Sequence, residues 1–196
     1  MCPVIPDKPG NTRAAWALLA CLCVGTFLRI HNFWLPNLWL DEYGTWWVVS
    51  ASTWTEVAER AINVQGQSPF YFLIVKFFTR LFGEGSFQLR LPSVIFGILT
   101  LFVAFRLALQ IFRDENVALV SVAVFSITEQ LIWFSQNARP YALALFLTLL
   151  SFLLFLHFLQ FRRMCNSLLY ALTTAMLIYA HFLFGFVLLF HIVFAA

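Results

Sequence analysis

Along the chain, long apolar runs are separated by short polar stretches, and elementary geometry turns that pattern into helices. A spanning helix needs about 20 mostly apolar residues. The runs at about 14–30, 89–112, 117–134 and 140–161 meet that need. From Ser167 onward the apolar run is about 45 Å long as a single helix at 1.5 Å per residue, more than a roughly 30 Å hydrocarbon core. It also fits two shorter segments, about 167–180 and 183–196, meeting near "YAHFLFG". The fold expected is all-α: a polytopic transmembrane bundle of about six spans in one module over residues 1–196, with an outer loop over residues 31–88.

Within that loop, "SPFYFLIVKFFTRLFG" offers only 14 residues from Pro69 to Phe82, with Lys76, Thr79 and Arg80 at spacings of three and four. A single polar stripe on an apolar rod predicts a helix lying in the interface plane. The stretch Asp41–Ile62 mixes Trp46, Trp47 and Trp54 with Glu56, Glu59 and Arg60 and predicts a second juxtamembrane interfacial helix. If neither crosses, the basic ends at Lys8/Arg13, Arg113 and Arg162/Arg163 all fall on one side, as the positive-inside rule requires.

Composition agrees with the pattern. Of 196 residues, 62% are hydrophobic and 11% charged, and the mean hydropathy is +0.85, far from the roughly 25% charged residues of soluble domains. A net charge of +3 without a Lys/Arg block gives no nucleic-acid footprint. Four cysteines show no metal-ligand or disulfide spacing. The first apolar run follows Lys8 and Arg13 and has no small-residue cleavage site, so it predicts a retained signal anchor. The last run stops in apolar sequence at Ala196, which suggests the N-terminal module of a longer enzyme.

This topology gathers the polar residues at one membrane face. Asp41 and Glu42 sit within "NLWLDEYGTWW"; Gln67, Arg90, Gln136, Asn137, Arg139 and His181 follow at loop ends on the same side. Charge at membrane depth is costly and usually faces a wet protein interior with a partner. Acids of this kind can take a proton from a hydroxyl or orient a metal, and arginines bind phosphate through a planar fork of donors. Interfacial aromatics suit an isoprenoid tail. The inventory fits sugar transfer from a lipid-phosphate donor. The plainer alternatives are a solvated helix N-terminus for Asp41 and Glu42, headgroup snorkelling for Arg90 and Arg139, and, for the whole chain, a non-catalytic membrane scaffold or transporter fragment.

The blocks "LWLDEYGTWW", "QSPFYFLIVKFFTRLFGEGSFQLRLPSVIFGILTLFVAFRLALQIF", "IWFSQNARPYALALFLTLLS" and "YAHFLFG" resemble, in order, those of the GT-C membrane glycosyltransferases of the protein O-mannosyltransferase and aminoarabinose transferase superfamily. The resemblance implies transfer from a polyprenyl-phosphate-linked sugar to a hydroxyl acceptor on protein, lipid or glycan, at the outer face of a bacterial plasma membrane. By that resemblance Asp41 is the catalytic acid and general base, with Glu42 its neighbour. Arg90, Arg139, Tyr141, Gln136, Gln67 and His181 are substrate-binding candidates. Many relatives show "HPPLYY" or "EKPPLYY" where this chain has "GQSPFYF", so Gln67 carries no charge and Ser68 replaces a proline. That departure weakens a metal site at Gln67 and the aminoarabinose specificity. The sequence specifies no cofactor; a divalent metal stays compatible with the acidic pair.

Overall fold

A computed structural model describes residues 12–161 and 164–195, apart from the side chains of residues 161 and 195. The expected basic ends at Lys8 and Arg162/Arg163 fall outside the described residues. The chain is all-α, in the order α1 (Thr12–Ile30), α2 (Leu40–Val49), α3 (Trp54–Asn63), α4 (Pro69–Phe82), α5 (Ser86–Phe112), α6 (Glu115–Ile127), α7 (Glu129–Gln136), α8 (Tyr141–Phe161), α9 (Met164–Ala180), a 3-10 turn (Phe182–Gly185) and α10 (Phe186–Ala195). Among the described residues α1, α5 and α8 are each long and apolar enough to cross a membrane, and α6 with α7 makes a fourth crossing if the bent pair counts as one. The apolar helices α9 and α10 are shorter than a full span. This is an integral membrane bundle. The break expected at "YAHFLFG" is present as the 3-10 turn.

The apolar run 117–134 reads as one straight span. It is two helices whose axes diverge by 57°. Thr128 is extended (φ −64°, ψ 115°), which strips the preceding carbonyls of their helical partners. Arg29, 1% exposed in the last turn of α1, supplies the replacement. Its guanidinium donates to Phe125 O at 2.9 Å, Ser126 O at 3.2 Å and its own Gly25 O at 2.9 Å. Gly97 of α5 lies where this knot is tightest: a Cβ there would collide with the Ser135 side chain and touch Arg29.

The stretch Asp41–Ile62, read as one interfacial helix, is also two. Thr53 accepts Glu56 N–H at 3.1 Å and caps the start of α3, while Lys76 of α4, 6% exposed, closes the end of α2. Its Nζ donates to Val49 O and Ala51 O, both at 2.7 Å. An ammonium there satisfies orphan carbonyls and complements the helix dipole. Lys76 and Thr79 of the α4 polar stripe therefore point into the protein, while the exposed Arg80 donates to Ser52 O at 3.1 Å. Ser68 with Pro69 starts α4, and Gly83, at φ 91°, ends it in a conformation that favours glycine. We expect Lys76→Met to lower stability by about 1–3 kcal/mol, since two buried carbonyls lose their donor; thermal unfolding in detergent reads this directly.

The principal core lies beneath these short helices rather than at mid-bundle. Val48, Val57, Ala61, Tyr71, Phe72, Val75, Leu89, Leu143 and Leu177 form one buried cluster drawn from α2, α3, α4, α5, α8 and α9. Full burial of each large apolar side chain contributes roughly 1.5–3 kcal/mol. That cluster fixes α2 against the starts of α5 and α8, the place where the polar residues gather. By contrast α1 turns Trp16, Leu19, Val24 and Phe27 outward, as a lipid-facing helix does.

Candidate functional site

The site begins with α2, whose first turn carries both acids, and their environments differ sharply. Glu42 is fully buried (0% exposed). Arg90, 2% exposed near the start of α5, pairs with it through two contacts, Nη2 to Oε2 at 2.6 Å and Nε to Oε1 at 2.8 Å. The remaining capacity of both groups is taken up by backbone. Arg90 donates to Phe33 O, Pro36 O and Asn37 O at 2.7, 3.0 and 3.3 Å. Glu42 accepts from Ala138 N–H at 2.7 Å and Trp39 N–H at 3.4 Å. A buried pair is tolerable when its other lone pairs and protons are satisfied in this way.

The loop between α7 and α8 is drawn onto α2 by the same residues. Ala138, buried, gives its N–H to Glu42, and its carbonyl accepts from Thr45 Oγ1 at 2.9 Å. Arg139, 6% exposed, donates Nη1 to Asp41 O at 3.4 Å. Its own carbonyl accepts from Ser93 Oγ, which also bonds the Tyr71 hydroxyl at 2.8 Å. Burial pushes the Tyr71 phenol well above its ordinary range, so it stays protonated as part of this scaffold.

Asp41 has a different setting. It is half-buried, its carboxylate accepts no hydrogen bond from the described residues, and it lines a cavity of about 460 Å³ with Leu40, Tyr43, Gly44, Trp47 and Gln65. Arg139, which reaches the Asp41 carbonyl, has a buried Nε without a hydrogen-bond partner, and the buried Gln67 Oε1 and His181 Nδ1 are likewise unpartnered. His181 feels the Arg139 charge and stands 6.4 Å, ring to ring, from Tyr141. Burial first and that charge second hold its imidazole below the usual range, hence neutral near pH 7.

Asp41, Glu42, Arg90 and Arg139 therefore meet at one end of the bundle, which the topology demanded. Residues 66–196, more than half of the chain, match the family described as dolichyl-phosphate-mannose-protein mannosyltransferase. The chain belongs to that family. It is accordingly a glycosyltransferase of the GT-C type. The matched region starts at Gly66, so it takes in Gln67, Arg90, Arg139, Tyr141 and His181, while the acidic pair precedes it. No curated protein and no solved structure matches the chain.

Gln136 lies slightly apart from the other candidates in this mannosyltransferase-family chain. Its amide donates to Leu28 O at 2.8 Å and His31 O at 3.2 Å, tying α7 to the end of α1. Sequence reasoning passed over Thr45 and Tyr71, whose partners are distant along the chain, and Arg29, which it absorbed into an apolar span. A basic residue inside an apolar run is itself a signal, since such charge is rare unless paired. Among the described residues no three His, Cys, Asp or Glu side chains converge as a metal-ligand group.

Proposed function

We propose that this chain transfers a sugar from a polyprenyl-phosphate donor to a hydroxyl acceptor, with Asp41 as general base and Arg139 on the donor phosphate. The observation that carries the reading is the contrast between the two acids. Glu42 spends its whole hydrogen-bonding capacity on Arg90 and backbone, whereas Asp41 lines a cavity with a carboxylate that accepts no hydrogen bond from the described residues, and its backbone carbonyl meets Arg139, a buried arginine with an open donor. A buried guanidinium with an unfilled N–H is costly until an anion reaches it.

In the proposed reaction, Asp41 takes the proton of the acceptor hydroxyl as its oxygen bonds to the anomeric carbon. The bond from that carbon to the phosphate oxygen breaks, and the polyprenyl phosphate leaves with the electron pair. Anomeric configuration is inverted. Arg139 meets the charge growing on the leaving phosphate. His181, Gln67 and Tyr141 surround the sugar, and the exposed Trp39, Trp46 and Trp47 lie along the isoprenoid. Glu42 and Arg90 are positioning residues that hold α2 and the Ala138–Arg139 loop in register. The site opens to the outer face of a bacterial plasma membrane.

The test is transfer by the enzyme in proteoliposomes, supplied with a panel of polyprenyl-phosphate sugars and, separately, nucleotide sugars. Transfer only from the polyprenyl-phosphate set is expected. Arg139→Met should lower kcat/KM roughly 10- to 100-fold, the worth of a hydrogen bond to a charged group. Transfer from nucleotide sugars alone, or an unaffected Arg139→Met enzyme, would overturn the proposal.

A further inference from the structure

At the opposite end of the bundle, α5, α8 and α10 enclose a second cavity of about 380 Å³ that the transfer reaction does not use. That is within the roughly 300–1,000 Å³ of small-molecule pockets. Its walls are Phe152, Phe155, Leu156, Phe190 and Phe194, an apolar sleeve. Its mouth is polar: Gln110 donates to Gln160 at 2.8 Å across α5 and α8, and Arg113 stands at the end of α5. The Arg113 guanidinium is exposed and takes no hydrogen-bond partner among the described residues.

One polar group lies deep inside. His191, 2% exposed, lines the cavity. It stacks on Phe155 at 4.5 Å, and its Nδ1 meets the Tyr170 hydroxyl at 2.9 Å. With the tyrosine hydroxyl as donor, the imidazole proton resides on Nε2, which is buried and unpartnered. Something with an acceptor belongs opposite it. No helix packed here supplies that acceptor: His191 Nε2 has no partner among the described residues, although a helix carbonyl has a lone pair for a second donor, as Cys21 O shows by accepting from Ser126 Oγ at 3.0 Å. A molecule bearing both an anion and a bare carbonyl can supply it. The five steps from Phe155 to Gln160 span about 7–8 Å of helix, so the His191 level lies that far inside the mouth. A phosphate at Arg113 followed inward by a glycerol ester has its carbonyl at such a depth.

We propose that this cavity holds one acyl chain of an anionic glycerophospholipid, its phosphate on Arg113 and its ester carbonyl accepting from His191 Nε2. The lipid acts as a fixed wedge between α8 and α10, remote from the transfer site and independent of its chemistry.

The purified protein, delipidated in detergent, is titrated with phosphatidylglycerol and with phosphatidylcholine and followed by native mass spectrometry. One phosphatidylglycerol should be retained in preference to phosphatidylcholine, and millimolar inorganic phosphate should not displace it. Arg113→Asn, suited to the left-handed conformation at that position (φ 52°), should erase about fivefold of the preference, the worth of one basic residue at an anionic surface. His191→Phe should weaken both lipids. Photocrosslinking from Phe190→p-benzoylphenylalanine needs no folding-sensitive change and should yield a lipid-sized adduct. Equal retention of both lipids by wild type and Arg113→Asn, or an adduct only to protein, would overturn the assignment. Sugar-transfer assays run alongside separate its failure from that of the transfer reading.

Discussion

Asp41→Asn is expected to reduce sugar transfer by about 10²- to 10⁴-fold, the contribution of a positioned general base, with thermal unfolding nearly unchanged. The expectation follows from what Asp41 does not do. Its carboxylate holds no other residue in place, and only its backbone carbonyl is used, by Thr45 and Arg139. Asparagine keeps the shape and that carbonyl. The structural loss is confined to a negative charge in the first turn of α2, worth about 0.3–1 kcal/mol through the helix dipole. Turnover of the purified variant with a polyprenyl-phosphate sugar, set beside its unfolding temperature, separates the two effects. Transfer at the normal rate would remove Asp41 from the reaction. A large fall in unfolding temperature would make it a structural residue instead.

The distinction between the two acids was not legible in the sequence. "LWLDEYGTWW" announces that a pair of carboxylates sits in an apolar setting, and helical geometry points adjacent residues in different directions. Which of them faces inward depends on Arg90, Ala138 and the approach of α5, contacts 48 and 96 residues away along the chain. The gathering of polar residues at one end was legible, because span counting and the cost of buried charge both demand it. The broken span at Thr128 was not. Nothing in "VFSITEQLIWF" compels a bend, and its stabilising group, Arg29, comes from another helix. Lys76 shows the same limit: a spacing rule identified its stripe correctly, but the partner of that stripe was the end of α2 rather than lipid headgroups. Local periodicity specifies which face of a helix is polar. Long-range packing decides what that face meets.

Removing one member of the Glu42–Arg90 pair is expected to destabilise the protein by about 3–5 kcal/mol, the cost of leaving the other charge buried without a counterion. Glu42→Gln is the informative variant because it preserves volume and removes only the charge. Arg90→Met should cost at least as much, since the carbonyls of Phe33, Pro36 and Asn37 also lose their donor. Replacing a buried pair with apolar residues is often neutral, so the double variant Glu42→Met/Arg90→Met separates charge from scaffold. Here it should recover only part of the loss. The buried Ala138 N–H and Phe33 carbonyl stay orphaned, each costing about 1–3 kcal/mol, while the Trp39 N–H and the Pro36 and Asn37 carbonyls belong to exposed residues. Denaturant unfolding of the four proteins in detergent gives the coupling energy by a double-mutant cycle. A double variant as stable as wild type would show that the pair compensates only itself. One well below wild type, with transfer lost because the Arg139 loop has moved, would show that it fixes the geometry on which Asp41 and Arg139 depend.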